Sequence, residues 1–250
     1  MVRGFELFRR HFADHEDRYV LIGGTAVVAL LEDAGLQARA TKDLDIVLCL
    51  EALDPAFVAA LWQFIEMGQY TLRERATGKR ELYRFQKPAD QSYPEMLELF
   101  SRRPETIILA DGQHLTPIPA DGEIDSLSAI LLDDDYYAFL HARKLMVQGV
   151  PMVDAAGLIG LKTYAWVQLT ADRDAGKQVD SKNINKHRGD VFRLFALVSP
   201  EMRIEAPQRV RENVARFLDA LDGGLDLAPF GLKGMRAADV MSGLRSLYGI

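Results

Sequence analysis

The sequence predicts an α/β (α+β) fold: a small mixed sheet flanked by helices, followed by a helical C-terminal part. Three observations predict it. Short apolar runs ending in glycine or polar residues recur in the first 150 positions, beginning with Tyr19–Ile22 and residues 43–50. Between those two runs, residues 25–34 are rich in Ala, Val and Leu and stop at Gly35, as a buried helix does. From Val153 onward the apolar residues change to a helical period. The chain of 250 residues therefore divides into an α/β part, residues 1–150, and a helical part, residues 151–250.

Each element has its own signal. Phe5, Leu7, Phe8 and Phe12 form a helical stripe. Tyr19–Ile22 is a strand that ends at Gly23-Gly24, and residues 43–50, β-branched and apolar, form a second strand. Asp54-Pro55 reads as a cap with proline in the first turn, opening a helix over Pro55–Met67 that stops at Gly68. The period then changes to a hairpin, with Tyr70 and Leu72 on one arm, Leu82, Tyr83 and Phe85 on the other, and Thr77-Gly78 at the turn. Residues 95–100, 107–109, 114–118 and 126–132 are further strand candidates. In the second half, Leu158, Leu161, Ala165 and Leu169 share a helical face, as do Val191, Leu194, Phe195 and Val198, and then Val210, Val214, Phe217 and Leu221. Residues 231–250 read as a last helix, and the polar stretch 172–185 reads as a loop.

Composition sets limits. With 48% apolar residues the chain can bury a sizeable core. A net charge of −6 argues against a surface that coats nucleic acid, although residues 177–250 carry 12 Lys/Arg against 9 Asp/Glu, so the second half is the more basic. No stretch reaches the ~20 apolar residues of a membrane helix and no signal peptide is legible, so a cytoplasmic protein is expected, and no membrane partner. The single cysteine, Cys49, lies in an apolar run, which fits a reducing compartment. The five histidines lack metal-ligand spacing, and no serine-hydrolase elbow or Walker loop is present. The acidic run Asp133-Asp134-Asp135 reads as a helix start rather than a metal site, because three adjacent carboxylates point in different directions.

The chemistry concentrates in two short motifs. Gly23-Gly24-Thr25 follows the first strand, and Asp43-Leu44-Asp45 opens the second. On a strand, alternate side chains share a face, so Asp43 and Asp45 project together with Cα atoms about 6.5 Å apart, suited to sharing Mg²⁺ or Mn²⁺. Glycines let backbone approach a phosphate, the following helix start favours anions, and Thr25 is positioned to cap that helix and bond a phosphate. Taken singly, each motif is also what a tight turn or two solvated carboxylates would look like.

Gly23-Gly24-Thr25-Ala26 with Arg39-x-Thr41-x-Asp43-Leu44-Asp45 resembles the nucleotidyltransferase superfamily of the DNA polymerase β type, and within it the AbiEii-like toxin nucleotidyltransferases. The run Leu158-Ile159-Gly160-Leu161-Lys162-x-x-Ala165 is similar to a helix of that family carrying a site lysine. Lys186-His187-Arg188-Gly189-Asp190 is similar to another, with His187 standing where the family has Asp. The resemblance implies transfer of a nucleoside monophosphate from an NTP to an acceptor hydroxyl, on a tRNA 3′ end or a protein side chain, with an antitoxin as a possible partner. It implies Asp43 and Asp45 as metal ligands, Gly23, Gly24, Thr25, Arg39 and Lys186 as nucleotide contacts, Lys162 as charge stabiliser, and Asp190 orienting Lys162 or the acceptor. Glu98 is either the third carboxylate, serving as base, or a solvent-facing residue on an edge strand. Two rival functions stay open: a non-catalytic nucleotide-binding scaffold, and an adenylyltransferase of small molecules such as aminoglycosides.

Overall fold

The computed structural model describes residues 2–74, 80–102, 115–117, 128–221 and 225–250. Among them, nine strands join one mixed sheet. In chain order the elements are α1 (Phe5–His11), β1 (Tyr19–Ile22), α2 (Gly23–Asp33), β2 (Asp43–Leu48), α3 (Pro55–Met67), β3 (Thr71–Glu74), β4 (Arg80–Gln86), β5 (Met96–Ser101), β6 (Leu115–Pro117), β7 (Ser128–Leu131), α4 (Asp134–Ala142), β8 (Lys144–Val147), β9 (Val150–Val153), α5 (Ala155–Asp174), α6 (Ser181–Phe195), α7 (Gln208–Asp219) and α8 (Ala237–Tyr248). The sheet runs β3-β4-β5-β2-β1-β9-β8, with the β6–β7 pair attached to β5. β2 is antiparallel to β1 and parallel to β5, and β9 runs parallel to β1.

Register sorts the two faces. Tyr19 pairs with Leu48 and Leu21 with Ile46, so these side chains share one face. There Tyr19 meets Phe8 and Phe12 of the N-terminal segment and stacks on Phe57 of α3, with Phe64 completing an aromatic cluster. The alternation of β2 then sends Asp43 and Asp45 to the other face, toward the start of α2. Asp54 caps α3 by accepting a hydrogen bond from Phe57 N at 2.8 Å.

Several sequence expectations change here. The hairpin forms as β3 and β4, but its Thr77-Gly78 turn lies outside the described residues, as does the 107–109 strand candidate. Asp133 caps α4 by accepting from Asp135 N, so the acidic run is a helix start. The polar stretch 172–185 is mostly helical: α5 reaches Asp174, α6 begins at Ser181, and Asp180 caps it. The second strand ends at Leu48, and α2 already begins at Gly23. The β8–β9 hairpin, unread in the sequence, extends the sheet to Val153 and places α5 directly after it.

Candidate active site

A row of charged side chains crosses three strands. Asp45 pairs with Ile22 of β1 on one side and Glu98 of β5 on the other, and Glu98 pairs with Arg84 of β4. Paired residues share a face, so Arg84, Glu98 and Asp45 stand side by side, joined by Asp43 two positions along β2. Glu98 accepts from Arg84 Nε at 2.6 Å and also pairs with Arg84 Nη2. It is only 9% exposed, and β5 is interior to the sheet, so the edge-strand reading of Glu98 falls.

Gly23 begins α2 directly after Ile22 with φ of 70°, the left-handed region that favours glycine. A Cβ there would overlap the Asp45 carboxylate. At Gly24 a Cβ would lie 2.6 Å from Thr41 Oγ1 and 3.3 Å from Arg39 Nη2. The two motifs read in the sequence are thus in contact, with glycine's missing side chain as the space between them. α2 starts at Gly23, against the Asp45 carboxylate, and the first turn of any helix has amides with no acceptor inside the helix.

Thr25 takes a different part from the one expected. It is fully buried and its hydroxyl donates to Asp43 O at 2.5 Å. Its one proton is used there, and α2 has Ile22 at its N-cap with no side-chain cap bond. Thr25 ties the start of α2 to the start of β2 rather than capping the helix.

Opposite the carboxylates stand α5 and α6. Lys162 of α5 is 4% exposed, with Nζ 3.3 Å from Asp190 Oδ2. Asp190 of α6 is fully buried and takes two hydrogen bonds from Arg39, Nε to Oδ1 at 2.8 Å and Nη2 to Oδ2 at 2.9 Å. Arg193 Nη1 lies 3.6 Å from the same carboxylate. Arg39 is thus bonded to Asp190 rather than to the Asp43/Asp45 pair, and its Nη1 bonds Ala40 O. Lys186 sits one turn before Asp190, and its charge reaches Asp45 and Lys162.

The electrostatics follow from burial and these neighbours. Burial, then Glu98 and Asp43, push the Asp45 carboxyl up to about 6 against the pull of Lys162 and Lys186. Burial lowers Lys162, opposed by Asp190 and Asp45. Burial would raise Asp190, but the hydrogen bonds and charge of Arg39 and Lys162 outweigh it and hold the group below the usual carboxylate range. His187 is pushed down to about 3, by burial first and then by Lys162, so it is neutral. Its Nδ1 is buried without a partner among the described residues.

Among the described residues no three His, Cys, Asp or Glu side chains form a ready metal cage. Magnesium, however, characteristically takes one or two carboxylates and completes its shell with water and substrate phosphate. Asp43 and Asp45 on one face, with Asp45 resisting ionisation through burial and then the charge of Glu98, form a donor set that a divalent cation would relieve. The pair fits such an ion. Sequence reading missed Arg84 and Arg193; the signals were the β4–β5 register, which sets Arg84 against Glu98, and the helical spacing of Asp190 and Arg193.

No family model matches this sequence, and no curated protein does. Among solved structures, an antigenic nucleotidyltransferase-like protein from Paracoccidioides brasiliensis is similar at 15% identity, over 97% of this chain and 90% of that one, with a TM-score of 0.47. The antibiotic-resistance factor ANT(2'')-Ia is similar at 16% identity, over 76% of this chain and 88% of that one, with a TM-score of 0.35. Among the described residues no helix is long and apolar enough to cross a membrane.

Proposed function

We propose that this chain is a divalent-metal-dependent nucleotidyltransferase that moves a nucleoside monophosphate from an NTP to an acceptor hydroxyl. The observation that carries the reading is the contact between Gly23 and Asp45: a left-handed, side-chain-free helix start pressed against one of two carboxylates that share a strand face. Asp43 and Asp45 would hold Mg²⁺ or Mn²⁺, which when bound supplies positive charge to the triphosphate. The amides of Gly23 and Gly24 offer an anion site next to it. Lys162, held by Asp190, places a second positive charge near Asp45, where the leaving pyrophosphate gains negative charge. Glu98 takes the proton of the acceptor hydroxyl as the new P–O bond forms and the bond to pyrophosphate breaks. Arg39 and Arg84 act through others, Arg39 by fixing Asp190 and Arg84 by fixing Glu98. Lys186 adds positive charge on the α6 side of the same site.

The resemblance in the motifs makes an RNA 3′ end, such as that of tRNA, or a protein hydroxyl the acceptors to supply, and a toxin paired with an antitoxin the setting. The test incubates the protein with Mg²⁺, each labelled NTP, and total cellular RNA or protein. Label incorporated by wild type, lost in Asp45→Ala and abolished by EDTA supports transfer. Equal labelling by Asp45→Ala would sink the metal role. NTP binding with no transfer to RNA, protein or an aminoglycoside would make the chain a nucleotide-binding scaffold.

A further inference from the structure

A cavity lined in part by Arg39 lies outside the carboxylate row. It measures about 340 Å³ and is formed by the end of α2, the segment leading to Arg39, the last turn of α6 and residues 228–233. Its apolar lining includes Leu31, Ala38, Pro229 and Phe230. Its charged lining residues are all cations, Arg39, Arg193 and Lys233, with no carboxylate among the described lining residues. Asp190 pairs with Arg39 and Arg193 but is shared with Lys162, and Lys233 has no ion pair among the described residues. The aromatic wall is built closely: Phe230 stacks on Phe192 at 5.4 Å between centroids, and Arg193 lies over the Phe230 ring at 5.4 Å. Glycine at 189 makes this possible, since a Cβ there would come 2.8 Å from Arg193 Nη1 and 3.0 Å from Phe230.

Such a cavity is at the small end of ligand pockets, and its combination of apolar lining and cations specifies what enters. We infer that this cavity binds a small organic anion, a phosphate monoester or carboxylate on a planar apolar body, with the charged end toward Arg39, Arg193 and Lys233 and the body against Phe230 and Pro229. Arginine and lysine supply the anion's partners, and the aromatic edge and proline supply contact for the body. The inference rests on the cavity alone and stands whether or not the chain transfers nucleotides.

The test is calorimetry on the full chain with two anionic probes, AMP and indole-3-acetate, against their uncharged counterparts adenosine and indole-3-acetamide. The expected result is binding of at least one anion, at least tenfold tighter than its uncharged counterpart. Charge reversal at the exposed Lys233, Lys233→Glu, should weaken that binding at least tenfold. Ala196→Trp, which fills the cavity from the residue after α6, should abolish it, with circular dichroism confirming the fold. Preference for AMP assigns the phosphate class and preference for indole-3-acetate the carboxylate class. No measurable binding of either anion, or binding that survives both Lys233→Glu and Ala196→Trp, would overturn the inference.

Discussion

Arg39 and Asp190 lie 151 positions apart and are joined by two parallel charge-assisted hydrogen bonds of 2.8 and 2.9 Å. The pair pins the α6 helix to the segment that leads into the carboxylate strand, so the helical half and the sheet share one buried ion-pair web that also holds Lys162. Breaking a buried pair from one side leaves the other charge uncompensated and costs roughly 3–5 kcal/mol. Arg39→Ala and Asp190→Asn should each lower stability by an amount in that range. Arg39→Lys should recover only part, because a lysine cannot supply the two-pronged donor. Urea unfolding of the two single variants and the double variant checks this. A double variant whose loss equals the sum of the singles would show the pair to be uncoupled.

The contact of Gly23 with Asp45 gives a sharper comparison between two glycines. Gly23 and Gly35 share a φ of 70°, but a Cβ at Gly35 meets nothing within 4 Å, whereas one at Gly23 overlaps the Asp45 carboxylate. Gly35→Ala should cost only the backbone strain, about 1–2 kcal/mol, and leave transfer intact. Gly23→Ala should cost more than that and reduce transfer by at least a hundredfold, because Asp45 must move. Thermal unfolding and the labelling assay on both variants test the difference; equal behaviour would mean that Asp45 has room to shift.

Acid should weaken the fold through His187. The imidazole is pushed from its ordinary 6.5 to about 3 in the folded chain, so between those values the unfolded chain binds the extra proton. The associated stability is fully present above pH 6.5 and is lost as pH falls toward 3, at up to about 1.4 kcal/mol per pH unit. In His187→Gln that component is missing. Denaturation at pH 7.5, 6 and 5 should show wild type losing stability faster than the variant. Parallel curves would mean that His187 is free to protonate in the folded protein.

How far the sequence revealed this architecture depended on the range of each interaction. β1 was legible because four apolar residues end at a glycine pair, and α3 because Asp54-Pro55 is a local cap signal. The face shared by Asp43 and Asp45 was legible from strand periodicity alone. The fate of the Thr25 hydroxyl was not, because its acceptor is a backbone carbonyl 18 positions away. The hairpin β8–β9 escaped because Lys144, Leu145 and Met146 are all exposed, so no alternation marks the first strand. The α5–α6 region looked like a loop because α6 opens with Ser181-Lys182-Asn183, polar residues that face solvent in its first turn. Arg84 and Arg39 found carboxylates only through strand register and helix packing, which short motifs do not encode.

Lys162 allows structural and catalytic roles to be separated. Its burial works against its charge, while Asp190 and Asp45 work for it. Asp190 keeps both Arg39 hydrogen bonds if the lysine goes, so it is not left unpaired. Methionine has a similar length and carries no charge to desolvate. Lys162→Met should therefore cost less than the roughly 3–5 kcal/mol of a buried pair broken from one side, since Arg39 and Arg193 still compensate Asp190. Transfer should nevertheless fall at least a hundredfold, because the positive charge proposed to face the leaving pyrophosphate is removed. Single-turnover labelling beside urea unfolding distinguishes the outcomes. A stable Lys162→Met that labels at the wild-type rate would make the lysine a packing residue, and a variant that fails to fold would make its charge part of the core.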